Sequence, residues 1–124
     1  MAMQSAYELF RNGSALLAAK DFHAAVVPLR RAAELEPDKT SVREALGRAY
    51  FGSQRYGEGA AEFGVVVAHE PTNDFALFCL GRCLQSLGDH VEARKPLTMA
   101  ATLRPERADY RVYLERSVRA ADAA

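Results

Sequence analysis

The sequence predicts an all-α protein, an α-solenoid of three antiparallel helical hairpins and a closing helix, about seven helices in all. Three observations predict it. Pro37, Pro71 and Pro105 stand 34 residues apart. Ala, Leu, Arg and Glu dominate the composition, alanine alone with 23 copies, and all four are good helix formers. Apolar residues also recur at helical spacing within each half of the period, as in Leu80, Leu84 and Leu87.

Aligned on those prolines, the chain divides into residues 6–39, 40–73 and 74–107. Matching positions carry matching residue types. Glycine recurs at Gly13, Gly47 and Gly81, and a large apolar residue at Leu16, Tyr50 and Leu84. Rings fall at Phe22, Tyr56 and His90, small residues at Ala25, Gly59 and Ala93, and large ones again at Leu29, Phe63 and Leu97. Two positions depart from the pattern: Asn12 stands where Leu46 and Leu80 stand, and Arg43 where Leu9 and Leu77 stand.

Each hairpin follows from this alignment. The two helices must approach closely, so small residues are expected to meet, as Gly81 against Ala93, with Leu84 and Leu97 filling the space beside them. Gly88-Asp89 offers a stop between the helices of the third hairpin, because glycine accepts the left-handed conformation. Asp38 and Thr72, which follow prolines, are expected helix N-caps. Pro28 and Pro96 fall in the second turn of the second helix of the first and third hairpins, where a bend is expected rather than a break. The second hairpin carries Gly57, Gly59 and Gly64 in its second helix. An interior glycine costs about 1 kcal/mol relative to alanine, so this helix is expected to be the weakest element. Residues 108–122 read as the closing helix, with Tyr110, Leu114 and Val118 on one apolar stripe.

This pattern resembles the tetratricopeptide-repeat (TPR) family, whose repeats are two helices long. The resemblance covers residues 6–107 and reaches weakly into the tail, so residues 1–124 read as a single TPR domain. It implies that the first helices line a concave face on which family ligands bind. The lining positions fall here on Tyr7, Ser41 and Phe75; on Phe10, Glu44 and Phe78; on Ser14, Arg48 and Arg82, continued by Arg116; and on Leu17, Phe51 and Gln85. Tyr7, Phe10, Phe51, Phe75 and Phe78 would then present rings to solvent, the kind of surface that marks binding sites. Cys79 is expected beside them. Arg48, Arg82 and Arg116 make a ladder with a period of 34. Neighbouring helices lie roughly 10 Å apart and an extended peptide rises about 3.3 Å per residue, so a rung meets roughly every third ligand residue. The implied ligand is a peptide or short helix with acidic and apolar side chains. Arg48 also follows Glu44 by four residues, the spacing of a helical ion pair.

One family function can be tested residue by residue. TPR domains that grip the C-terminal carboxylate of heat-shock chaperones carry Lys, Asn and Arg at positions that fall here on Phe10, Ser14, Ala45, Phe75 and Cys79. None of these supplies the required group, so a carboxylate-clamp co-chaperone is not expected.

Chemistry beyond binding finds little support in the residues. His23, His69 and His90 sit in different hairpins, and His90 takes a ring position, so catalysis and metal binding are not expected. Cys79 and Cys83 are four apart on one helix face, badly directed for a disulfide and without a second ligand pair nearby. Gly57, Gly59 and Gly64 miss the dinucleotide fingerprint, because Glu62 takes the third glycine's place. Sixteen basic and sixteen acidic residues cancel, which gives no overall pull toward nucleic acid, although Arg104, Arg107 and Arg111 cluster locally. No secretory segment and no run near the ~18 apolar residues of a membrane span is present. The expectation is a reduced, cytoplasmic protein without cofactors, an adapter for another protein. Two alternatives share the fold: a small chaperone similar to the TPR chaperones of type III secretion, which are longer at the N-terminus, and a self-assembling homo-oligomer.

Overall fold

The computed structural model describes residues 4–123 and consists of helices joined by tight turns. They are α1 (Ala6–Ala18), α2 (Phe22–Leu35), α3 (Thr40–Gly52), α4 (Tyr56–His69), α5 (Asp74–Ser86), α6 (His90–Leu103) and α7 (Ala108–Ala123). Consecutive helices pack as antiparallel hairpins, α1 with α2, α3 with α4 and α5 with α6, and α7 closes the array against α6. Helices α2 and α6 run uninterrupted through Pro28 and Pro96.

The turn inside each hairpin repeats at the level of single backbone angles. Lys20 (φ 60°), Gln54 (φ 63°) and Gly88 (φ 82°) are left-handed. After each, an amide closes the helix end: Asp21 N–H donates to Leu16 C=O at 2.9 Å, Arg55 to Tyr50 at 2.8 Å and Asp89 to Leu84 at 2.9 Å. This is the Schellman termination, which favours glycine because a Cβ crowds the left-handed backbone. Only the third hairpin supplies one. The other turn, between hairpins, starts the next helix one residue later than expected. Asn73, not Thr72, is the N-cap of α5, its Oδ1 accepting from Ala76 N–H at 3.0 Å. Lys39, not Asp38, precedes α3 and gives no side-chain cap.

The recurring glycines are explained by what stands opposite them. A Cβ on Gly13 would lie 2.4 Å from Leu29 Cγ, on Gly47 2.9 Å from the Phe63 ring, and on Gly81 2.5 Å from Leu97 Cγ. Gly81 is thus crowded first by Leu97, because the large residue itself plugs into the gap that the glycine leaves. In α4 the glycines differ. A Cβ on Gly59 would meet Cys83 Sγ at 3.1 Å and the Gly47 carbonyl oxygen at 3.4 Å, whereas Gly57 and Gly64 face open space.

Where Arg43 replaces leucine, its guanidinium reaches Glu62 on α4 at 2.9 Å and the Pro37 carbonyl at 2.8 Å. Asn12 is exposed on the outer side of α1, beside Gln4, Glu8 and Arg11. Helix α7 is fixed by polar contacts as well as by its stripe. Tyr110 is fully buried, stacks on Phe78 with ring centroids 4.6 Å apart, and donates to Asp74 at 2.7 Å. The Gln85 amide donates to the Tyr113 carbonyl and to buried Ser117 Oγ, both at 2.8 Å.

Candidate functional site

The first helices of the hairpins converge. Helix α1 touches α3, α3 touches α5 and α5 touches α7, whereas among the described residues α2 does not reach α4 and α4 does not reach α6. The array therefore curves with α1, α3, α5 and α7 on its inner face. That face holds two adjoining clefts.

The first, about 330 Å³, lies between α1 and α3 and is lined by Phe10, Ser14, Leu17, Ser41, Glu44 and Arg48. The second, about 240 Å³, lies between α3 and α5. Phe51, Phe75, Phe78 and Cys79 line it, Phe63 floors it, and Arg48 and Arg82 border it. Arg48 belongs to both clefts and is exposed.

Most residues singled out in the sequence come together here, with three changes. Phe78 is buried (9% exposed), because Tyr110 and Tyr113 of α7 cover its ring. It supports the cleft wall and is not an exposed ring. Tyr7 is 64% exposed but lines neither cleft, and its ring carries the Arg11 guanidinium at 5.8 Å. Gln85 is taken up in holding α7.

Arg82 is set between aromatic rings. Its Cζ lies 3.8 Å from the Tyr113 centroid and 5.2 Å from that of Phe51. Arg116 lies over the same Tyr113 ring at 4.5 Å. Cation–π contacts of this kind hold a guanidinium in place without neutralising it. The Arg82 Nε is buried and makes no hydrogen bond. Several arginines elsewhere close ion pairs, as Arg43 with Glu62, Arg55 with Glu58, Arg104 with Asp74, and Arg107 with Asp109, while others on the outer surface, such as Arg31 and Arg94, close none among the described residues. Among the described residues, Arg48, Arg82 and Arg116 close none within 4.0 Å, so the Glu44–Arg48 spacing does not produce a pair. Tyr113 was not singled out by the sequence. Its signal was available, since adding one more period of 34 to Cys79 lands on it.

Two other groups on this face have displaced proton affinities. Burial pushes the Glu44 carboxyl up from the usual range, the Glu70 charge adds to that, and Arg48 opposes it. Burial pushes the Cys79 thiol up to about 12, with further contributions from Cys83 and Glu44. At neutral pH Cys79 is a protonated, weakly nucleophilic wall residue. Among the described residues no group of three or more His, Cys, Asp or Glu could hold a metal ion, and no helix is long and apolar enough to cross a membrane.

Three helical hairpins on a 34-residue period, with paired glycine and large apolar positions and a closing helix, define the class: the chain has the tetratricopeptide-repeat fold. No protein-family model matches it. Solved TPR structures superpose along nearly its whole length. MamA RS-1 (the ArsTM double mutant) gives a TM-score of 0.90 at 21% identity, over 94% of this chain and 66% of that one. The first TPR of Spaghetti (RPAP3), bound to the HSP90 peptide SRMEEVD, gives 0.87 at 17% identity, over 98% and 97%. YrrB, described as a TPR protein with an unusual peptide-binding site, gives 0.83 at 19% identity, over 93% and 59%. In sequence, the BBSome complex member bbs-4 of Caenorhabditis elegans is 30% identical over 81 residues, 65% of this chain. The chain spans 18% of that relative's length.

Proposed function

We propose that this chain is a non-catalytic protein-interaction module, an adapter whose inner face holds a peptide or short helix with acidic and apolar side chains. The observation that carries the reading is the set of guanidiniums without acidic partners beside an apolar cleft. Arg82 is half-buried with an Nε that has no partner, and Arg48 and Arg116 are exposed cations beside it, so the face is complementary to carboxylates next to apolar side chains. Phe10, Ser14, Glu44, Arg48, Phe51, Phe75, Cys79 and Arg82 would contact the ligand, with Arg116 at the rim, Phe78 as support and Tyr7 on the flank.

The Spaghetti complex supports the ligand chemistry, since its peptide carries glutamates and an aspartate beside Met and Val. The grip would differ here. The positions implied for a carboxylate clamp hold Phe10, Ser14, Ala45, Phe75 and Cys79, and the available cations are arginines on another row.

The chaperone reading uses the same face and differs in how many clients it serves. End-to-end self-assembly is disfavoured by the outer side of α1, where Gln4, Glu8, Arg11 and Asn12 give a polar surface.

Affinity purification from the source cell tests the proposal, comparing wild type with the double variant Arg48→Glu, Phe75→Ala. Both residues are exposed, so the variant is expected to keep its circular dichroism. A protein retained by wild type and lost by the folded variant supports the adapter, and many such clients would favour the chaperone. Equal capture by both would put binding outside the clefts.

A further inference from the structure

The two clefts share Arg48 but differ in charge. The cleft between α3 and α5 is apolar and bordered by Arg48 and Arg82, with Arg116 beyond. The cleft between α1 and α3 carries one ionisable acid, Glu44, among Phe10, Ser14, Leu17 and Ser41. Glu44 makes no ion pair among the described residues. From the elements packed around it, Arg48 on α3, Cys79 on α5 and Glu70 beyond α4 are the ionisable groups that act on it or are acted on by it. The inner face is thus a cationic, apolar compartment next to a larger one in which Glu44 is the only acid and Arg48 stands at the shared border.

We propose that the face reads the order of charge along its ligand: a carboxylate on Arg82 and Arg48, a large apolar side chain in the cleft between α3 and α5, and a cationic side chain toward α1 against Glu44. This rests on the reading of the inner face as a peptide site.

The physical argument is complementarity at both ends. Arg82 is preorganised, because Phe51 and Tyr113 hold its guanidinium plane. A planar fork held this way presents its donors to a carboxylate with little ordering left to do. A second acid three residues along would approach Glu44 and be repelled, and a Lys or Arg there would be attracted. Helices roughly 10 Å apart and an extended rise of about 3.3 Å per residue set the charge separation at about three residues. An all-acidic segment satisfies only one compartment.

A displayed library of random dodecapeptides, selected on wild type and counter-screened on variants, tests this. Wild type is expected to enrich peptides with one Asp or Glu about three residues from one Lys or Arg and a large apolar residue between them. Arg48→Gln should weaken those peptides about tenfold, the size of a lost charge-assisted bond. Glu44→Lys should reverse the second preference, favouring acidic residues at both positions, while Glu44→Gln should abolish it. Peptides that need Phe75 and Arg48 but show no ordered charge pair would overturn the charge-order proposal and leave the peptide site standing. Selection of no peptide sensitive to Phe75→Ala or Arg48→Gln would overturn both.

Discussion

The second and third hairpins are built on one 34-residue frame and hold their shape by different means. The third has a glycine at the left-handed turn, an asparagine cap, an interior of Gly81 against Leu97, and α7 clamped over it by Tyr110, Gln85 and Ser117. The second forces Gln54 into the same left-handed turn and starts α3 and α4 without side-chain caps. It also places Gly57 and Gly64 in helix where nothing presses on them, and replaces a leucine with the Arg43–Glu62 ion pair. The apolar cleft lies between the two, with Arg48 and Phe51 from the looser hairpin and Phe75, Cys79 and Arg82 from the tighter one. The two walls of the cleft are therefore held by different contacts.

The contrast can be broken most severely at the interior glycines. Gly81→Ala drives a methyl to within 2.5 Å of Leu97 Cγ. Overpacking of this kind costs about 1–3 kcal/mol, and urea unfolding should show a loss in that range. A neutral result would mean that Leu97 can turn aside and that the third hairpin is not tightly keyed. In the looser hairpin the sign reverses. Gly64→Ala should stabilise by about 1 kcal/mol and raise the melting temperature by roughly 4 °C. A fall would reveal a packing role for that glycine. Gln54→Gly relieves a left-handed side chain and should stabilise by up to about 1 kcal/mol, while Gly88→Ala should destabilise by a similar amount. The smallest effect is expected at Glu44. Its carboxyl is raised on folding, so the folded state holds that proton more tightly than the unfolded state. Stability from this group is highest at low pH and falls as pH climbs through the raised value. Glu44→Gln should therefore stabilise at neutral pH, with the gain fading below the ordinary glutamate range. A gain independent of pH would assign the effect to packing.

Much of this is legible in the sequence. The proline spacing and the glycine–leucine pairing gave the hairpins, because each repeat must satisfy the same close approach. The rungs at Arg48 and Arg82 followed from the same period. What the sequence hid has local causes. Lys20 and Gln54 carry no mark of a left-handed turn, since the hairpin imposes that conformation on whatever residue falls there. The caps at Lys39 and Asn73 were misplaced by one residue, because the tight turn after each proline takes one residue more than the nearest capping type suggested. Phe78 reads in sequence as an exposed ring, yet α7 lies across it, and Tyr113, not singled out by the sequence, lies beneath two guanidiniums. Contacts between α5 and α7 join residues whose side chains do not announce each other, so pattern alone could not pair them.

The measurement that tests the central claim most directly is photo-crosslinking in the source cell, with a benzophenone amino acid in place of Phe75 or, separately, of Val91. Phe75 edges the apolar cleft, whereas Val91 is 58% exposed on the outer side of α6. A ligand on the inner face predicts a covalent adduct with another protein from position 75 and none from position 91. An adduct from position 91 alone, or from neither position in a protein shown to be folded, would contradict the account.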